Sequence, residues 1–316
     1  MTTHSLSLAI IGSGAAGYTA AIYAARANLK PVVFAGEAPG GQLTITTDVE
    51  NYPGFAAPIQ GPWLMEQMRQ QAEHVGTEII YETIDAVDFS DPNAHRLTSS
   101  SGTIYTAPAV IVATGAQAKW LGAKGEETFR GFGVSACATC DGFFFKDQNV
   151  AIVGGGNTAV EEALYLTHHA AKVTLIHRRD TLKAEKILQD RLRKNPKVSY
   201  IWDTEVMEIE GETTPTPMLK SLRLKNLKTG VESTLTVDGF FVAIGHQPAT
   251  KIFEGKLPTD KAGYLKRHPD SSRTDIAGVF VAGDVCDPIY RQAVTAAGMG
   301  CMAALDAERY LAEHFS

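Results

Sequence analysis

The stretch Leu8-Ala9-Ile10-Ile11-Gly12-Ser13-Gly14-Ala15-Ala16-Gly17 decides how the rest of the chain is read. Four apolar residues without polar alternation read as a strand buried on both faces of a parallel sheet. Three glycines follow, and then a helical stretch, Tyr18–Ala27. In a turn of this kind Gly12 permits the tight bend, Gly14 lets a pyrophosphate approach the backbone, and Gly17 lets helix and strand pack closely. The helix start then turns its free N–H groups and its dipole toward the phosphates. A second strand, Pro31–Ala35, closes a βαβ unit. A glycine-rich turn alone would satisfy the spacing. The strand before it and the helix after it make it a dinucleotide site.

The same grammar returns further on. Val150–Val153 is followed by Gly154, Gly156 and Ala159, a helical stretch Val160–His169 and a strand Lys172–His177. A later pairing repeats as well: Val110–Gly115 (VIVATG) and Phe240–Gly245 (FFVAIG) each read as a strand ending in glycine, downstream of their own βαβ unit. The tail, 278–316, holds one strand (Val279–Ala282), Gly283-Asp284 and one helix (Val294–Leu311). One strand and one helix cannot form a core, so they must complete a sheet begun earlier. The expected fold is therefore α/β with two Rossmann-like domains, the second (118–246) inserted into the first (1–117 and 247–316). Glu210–Pro217, with Gly, Thr and Pro, reads as an exposed hairpin loop.

Composition fits this plan. A chain of 316 residues with 44% hydrophobic and 20% charged residues is an ordinary globular protein of about two domains. The net charge of −6 implies no basic surface for nucleic acid. The apolar run after the short polar N-terminus is too short for a leader or a membrane span, so a cytoplasmic protein is expected.

The two nucleotide sites differ where the second strand ends, the place that reads the ribose 2′ position. The first unit has Glu37 there, which suits a hydroxyl. The second has His177-Arg178-Arg179, with Lys183 one turn on. Arginine offers phosphate a planar fork of donors, so this cluster suits a 2′-phosphate. A solvated basic patch is the alternative. The second site thus reads as NADP(H), and the first as a dinucleotide without that phosphate, such as FAD.

Four cysteines in a chain of this length are not a disulfide scaffold. Cys137 and Cys140, in Cys137-Ala138-Thr139-Cys140-Asp141-Gly142, stand three apart. On a helical turn that spacing brings their Cβ atoms to about 5–6 Å, from which a modest adjustment closes a disulfide. A helix start lowers the pKa of its first thiol. Asp141 is placed to donate or accept a proton at a leaving thiolate, or it merely caps the turn. Half of a zinc site is another reading, but Cys286 and Cys301 lack the spacing to complete it. A pair of buried structural thiols is a third. Phe143, Phe144 and Phe145 follow at once. Three consecutive aromatics cannot all face one core, so at least one should be exposed near the pair.

These motifs together resemble the low-molecular-weight thioredoxin reductases of the class II pyridine nucleotide-disulfide oxidoreductases. The resemblance is carried by CATCDG beside two glycine units. Gly40-Gly41-Gln42-Leu43, Glu50-Asn51-Tyr52-Pro53-Gly54, Ala113-Thr114-Gly115, His177-Arg178-Arg179, Gly245-His246, Pro248, Gly283-Asp284 and Arg291-Gln292-Ala293 follow in the family's order. It implies a homodimer whose discontinuous domain holds FAD, with Asp284 on the ribityl chain. Gly41, Gln42, Asn51, Thr114, Gly115 and Arg291-Gln292-Ala293 would sit about the same cofactor. NADPH would be held by Gly154, Gly156, Asn157, His177, Arg178, Arg179 and Lys183. Cys137 and Cys140 would carry electrons to thioredoxin, with Cys140 nearest the flavin, and Phe143 and Phe144 would dock that partner. The NADPH domain would rotate, so that nicotinamide and disulfide take turns at the flavin. Two departures from the family's pattern are Lys183, where a third arginine is common, and Ala249, where asparagine is. A flavin reductase with another protein acceptor and a non-catalytic redox-sensing module that binds nucleotides remain as alternatives.

Overall fold

The computed structural model describes residues 3–46 and 48–315. The chain forms two compact units, one of residues 1–117 with 247–316 and one of residues 118–246.

The first unit is built on a five-stranded parallel sheet. Its order is Val279–Val281, Val110–Val112, Leu8–Ile11, Pro31–Phe34, Glu78–Ile80. The tail strand completes the sheet at its edge, next to Val110–Val112. Alternate residues of the central strand feed two cores. Leu8 and Ile10 pack with the helices, including Ala15–Arg26 and Ala293–Phe315. Ala9 and Ile11 pack with Val87, Leu97 and Tyr105 of a second, four-stranded sheet. Burial on both faces is why the strand carries no polar alternation.

The inserted unit repeats the plan. Five parallel strands run in the order Val134–Ser135, Gly239–Ala243, Asn149–Gly154, Lys172–Ile176, Val198–Ile201. One face takes the helix Asn157–Leu166, through Ala159, Val160, Ala163 and Leu166. The other takes a three-stranded antiparallel sheet, Thr204–Glu212, Met218–Asn226 and Glu232–Thr236. The chain enters and leaves this unit through Ala116–Ala118 and His246–Pro248, which pair as a two-stranded ribbon.

Several strands end a residue or more before the sequence reading has them, as at Phe34, Val112, Ile176 and Val281, and four other limits differ. The first helix begins at Ala15 and not Tyr18, so Gly17 lies inside it. The second begins at Asn157 and not Val160, and ends at Leu166. In both, the glycine turn is shorter than the motif suggests, because its last small residue already belongs to the helix. The C-terminal helix runs on to Phe315. The hairpin at Glu210–Pro217 is narrower than expected: Glu212 pairs with Met218, which leaves 213–217 as the loop.

Candidate functional site

The two glycine turns solve one steric problem in the same way. Gly12 has φ +111°, and a Cβ there would lie 2.2 Å from the carbonyl oxygen of Ala113. Gly154 has φ +156°, and its Cβ would lie 2.4 Å from the carbonyl oxygen of Ala243. Ala113 and Ala243 hold matching places in VIVATG and FFVAIG, so each late strand closes over the turn of its own unit. The third small residue is just as confined: a Cβ on Gly17 would lie 1.9 Å from the Gly12 carbonyl oxygen. The middle glycines, Gly14 and Gly156, have nothing within 4 Å of a would-be Cβ, and each caps the helix that follows it. Open space at a helix N-terminus is where a pyrophosphate can reach backbone N–H groups.

Around the first turn, Ser13 is the organiser, and sequence reading missed it. Its buried hydroxyl donates to the Ala35 carbonyl at 3.0 Å and accepts from the Gly40 N–H at 3.0 Å. That bond draws the Gly40-Gly41 loop inward, until a Cβ on Gly41 would lie 3.4 Å from the Gly14 Cα. Glu37 is exposed just past the second strand, and Gln42 is exposed on the 3-10 turn Gly41–Ile45. Thr114 donates to the Ala249 carbonyl at 2.8 Å, and the Gly115 carbonyl accepts from the Ala249 N–H at 2.9 Å.

Asp284 sits on a short 3-10 turn, Gly283–Val285, which packs against the first helix; a Cβ on Gly283 would lie 2.8 Å from the Ala16 Cβ. Burial, with the Asp287 carboxylate nearby, pushes the Asp284 carboxyl up to about 6, against the opposing pull of Arg291. Asp287 is buried and shapes the next loop by accepting the N–H groups of Ile289, Tyr290 and Arg291 at 2.9, 2.9 and 3.0 Å. The loop delivers Arg291 with φ +48° and then Gln292, just ahead of Ala293 at the start of the last helix. Asn51, 241 residues away in sequence, donates to the Gln292 side chain at 3.4 Å.

At the second turn, Lys183 and Ala184 both donate backbone N–H groups to the Gly155 carbonyl, at 2.7 and 3.2 Å. Asn157, the first helical residue, accepts the Glu185 N–H at 2.8 Å. The Lys183 segment is thus tied to the glycine turn at two points. Arg178, Arg179 and Lys183 are exposed and form no ion pair among the described residues. His177 departs from its expected place in that surface cluster. It is buried under the turn, so close that a Cβ on Gly155 would lie 2.2 Å from its ring. Burial lowers its pKa, and the two arginines lower it further.

Cys137 and Cys140 are joined in a disulfide, with Cα atoms 5.3 Å apart. Cys137 caps the short helix Ala138–Asp141, and its sulfur accepts the Cys140 N–H at 3.2 Å. The Cys137 N–H donates to the Ser135 hydroxyl at 3.0 Å. Burial raises the Asp141 pKa, which a Ser135 hydrogen bond partly offsets. Phe143 and Phe144 are exposed, at 56% and 40%. Phe145 turns inward, its ring over Gly239 and 5.4 Å from the Phe241 ring. Cys286 is buried, with its thiol pushed up to about 12 by that burial. Cys301 is the other free cysteine.

The residues present suit two dinucleotides. The first turn offers Gly14 for a pyrophosphate. It also offers Asp284, a carboxylate disfavoured by burial that no hydrogen bond among the described residues relieves, as an acceptor for a hydroxyl-rich chain. The second turn offers Gly156 and three unpaired cations. No helix among the described residues is long and apolar enough to cross a membrane.

Comparison with known proteins agrees with this chemistry. The pattern of the pyridine nucleotide-disulphide oxidoreductase family matches residues 6–300. A thioredoxin reductase of Rickettsia conorii is 58% identical over 302 residues, covering 96% of this chain and 97% of the relative. One of Streptomyces coelicolor is 54% identical, covering 96% and 93%. Among solved structures, the thioredoxin reductase from Giardia duodenalis superposes with a TM-score of 0.92 at 44% identity, covering 98% of this chain and 99% of that one.

Proposed function

The chain belongs to the pyridine nucleotide-disulphide oxidoreductase family, among its low-molecular-weight thioredoxin reductases, and on that premise we propose the role of each site residue. The first unit holds FAD on Gly12, Gly14 and Gly17, with Glu37 at the adenosine ribose, Gly41 and Gln42 along the chain, and Asp284 at the ribityl hydroxyls. Asn51, Thr114, Gly115, Arg291, Gln292 and Ala293 complete that site. The inserted unit holds NADPH on Gly154, Gly156 and Asn157, with Arg178, Arg179 and Lys183 on the 2′-phosphate and His177 beneath. When bound, the flavin would supply hydride acceptance from NADPH and two-electron reduction of the disulfide.

The chain's own residues do the rest. Opening Cys137–Cys140 takes two electrons and two protons and leaves two thiols. Asp141, its pKa raised by burial, is the proton donor and acceptor for them. One thiolate then attacks the thioredoxin disulfide, and the second resolves the mixed disulfide, leaving reduced thioredoxin and a re-formed Cys137–Cys140 bond. Phe143 and Phe144 form the docking rim. A homodimer and cytoplasmic residence are part of the same proposal, on relatedness alone.

The observation that carries this reading is the disulfide itself, capping a short helix in the unit that bears the basic glycine turn. The test is NADPH oxidation with and without the host's thioredoxin. Cys137→Ser or Cys140→Ser is expected to abolish thioredoxin reduction while a single NADPH-driven flavin reduction survives. Cys286→Ser and Cys301→Ser are expected to be nearly silent. Normal thioredoxin turnover by the Cys140→Ser protein would overturn the dithiol mechanism.

A further inference from the structure

The turn that carries the disulfide is fastened at both ends to one helix, Asn157–Leu166. At its start, the Ala138 N–H donates to the Glu162 carboxylate at 3.3 Å. At its end, Gly142 lies so close that an added Cβ would meet Leu166 at 3.1 Å and Tyr165 at 3.4 Å. Ala138 is fully buried in the core that this helix shares with the sheet. The Phe143 ring stands 6.0 Å from the ring of His169, just past the helix end. The helix itself begins at Gly156 of the second glycine turn.

Three backbone donors at the start of the redox turn have distinct acceptors. The Cys137 N–H is taken by Ser135, the Ala138 N–H by Glu162 and the Cys140 N–H by the Cys137 sulfur. Free N–H groups at a helix start are what stabilise a thiolate there. Here one of them is spent on a carboxylate, which also brings a negative charge to the same place.

We propose that Glu162 is the positioning residue of the redox turn, and that its charge, held at the Ala138 N–H, biases the Cys137–Cys140 couple toward the disulfide. The inference rests on the reading that this disulfide cycles. A thiolate formed at Cys137 after the bond opens belongs to the residue next to the N–H that the Glu162 carboxylate occupies. The dithiol state is therefore less favoured, and the couple is a stronger reductant toward its partner. Asp141 is the other acid of the turn and His169 the base past the helix end; neither occupies the Ala138 N–H. A neutral amide would serve equally well as a hydrogen-bond acceptor, so the charge is the part to be tested.

The flavin-loaded protein, without NADPH, is equilibrated in mixtures of reduced and oxidised dithiothreitol and quenched by alkylation. Peptide masses then give the dithiol fraction at Cys137 and Cys140 separately from Cys286 and Cys301. Glu162→Gln is expected to move the equilibrium about tenfold toward the dithiol, which is about 30 mV for a two-electron couple. Glu162→Asp keeps the charge and is expected to stay within about threefold of the parent, as is Glu161→Gln at the exposed neighbouring position. A Glu162→Gln protein within twofold of the parent, or a Glu161→Gln or Glu162→Asp protein that moves as far as Glu162→Gln, would overturn the inference. A disulfide that no dithiothreitol ratio opens would overturn both this inference and the reading it rests on.

Discussion

Gly300 packs directly against the backbone of Ala16: a Cβ on Gly300 would lie 2.1 Å from the Ala16 carbonyl oxygen. The last helix thus crosses the first at the turn that begins the dinucleotide site. A methyl group there can be admitted only by moving one helix.

Gly300→Ala is therefore expected to destabilise the protein by about 1–3 kcal/mol, the usual cost of overpacking, and to weaken flavin retention. Gly298, two residues earlier and so on the other side of the helix, has nothing within 4 Å of its would-be Cβ. Gly298→Ala should be neutral or stabilising by up to about 1 kcal/mol, from helix propensity alone. Thermal melting and the flavin-to-protein absorbance ratio check both. Equal behaviour of the two variants would show that the helix crossing is not tight.

Cofactor preference should reside in the exposed arginines. A charge-assisted hydrogen bond contributes about 1.5–3 kcal/mol, so losing two should erase roughly two to four decades of preference. Arg178→Ala with Arg179→Ala is expected to raise the KM for NADPH and leave that for NADH little changed. A parallel loss for both nucleotides in steady-state kinetics would contradict the 2′-phosphate assignment.

Asp284 makes a prediction about pH. Its folded pKa, about 6, lies above the ordinary value of a carboxyl. A raised carboxyl pKa means that the folded state holds its proton longer than the unfolded state. The associated stability is present at low pH and is lost as pH rises from about 4 through about 6. The flavin-free protein should carry this penalty in full at pH 7, on the order of 2–3 kcal/mol. Asp284→Asn should stabilise the flavin-free protein above pH 6, flatten its stability between pH 4 and 6, and weaken FAD binding. Denaturant titrations across that range, with and without FAD, test each part.

Partner docking should reside in Phe143 and Phe144 and not in Phe145. Aromatic anchors at interfaces commonly contribute about 2 kcal/mol or more. Phe143→Ala or Phe144→Ala is expected to raise the KM for thioredoxin by roughly tenfold or more, while sparing reduction of a small disulfide reagent. Phe145→Ala removes a ring that packs on Gly239 and Phe241, so it should lower the melting temperature instead. Loss of both activities together in the Phe143 variant would mark that ring as core.

What could be read from the sequence was local. Four apolar residues before three glycines announce a strand, a turn and a helix, because the apolar run and the glycine spacing are themselves a local pattern, even though the room Gly12 lacks is taken by the distant Ala113. The CxxC pair is legible for the same reason. The misses are contacts that no spacing encodes. Ser13 looks like a filler between two glycines, yet its hydroxyl joins Ala35 to Gly40. Asp287 follows the noticed Asp284 and shapes the loop that presents Arg291. His177 stands in a run of basic residues and reads as one of them, but the strand ahead of it turns its ring into the interior. The helix starts lie earlier than the spacing suggests, because Gly17 already belongs to its helix, where there is no room for any side chain.

The inserted unit closes on itself where the chain crosses into it: the Lys119 N–H donates to the Gly245 carbonyl at 2.9 Å, and outside it the Ala249 N–H donates to the Gly115 carbonyl at 2.9 Å. For an engineer this makes residues 118–246 a cassette. Two neighbouring splice points are enough to exchange it for the matching segment of a relative with another nucleotide preference, and no hydrophobic core of either unit has to be recut.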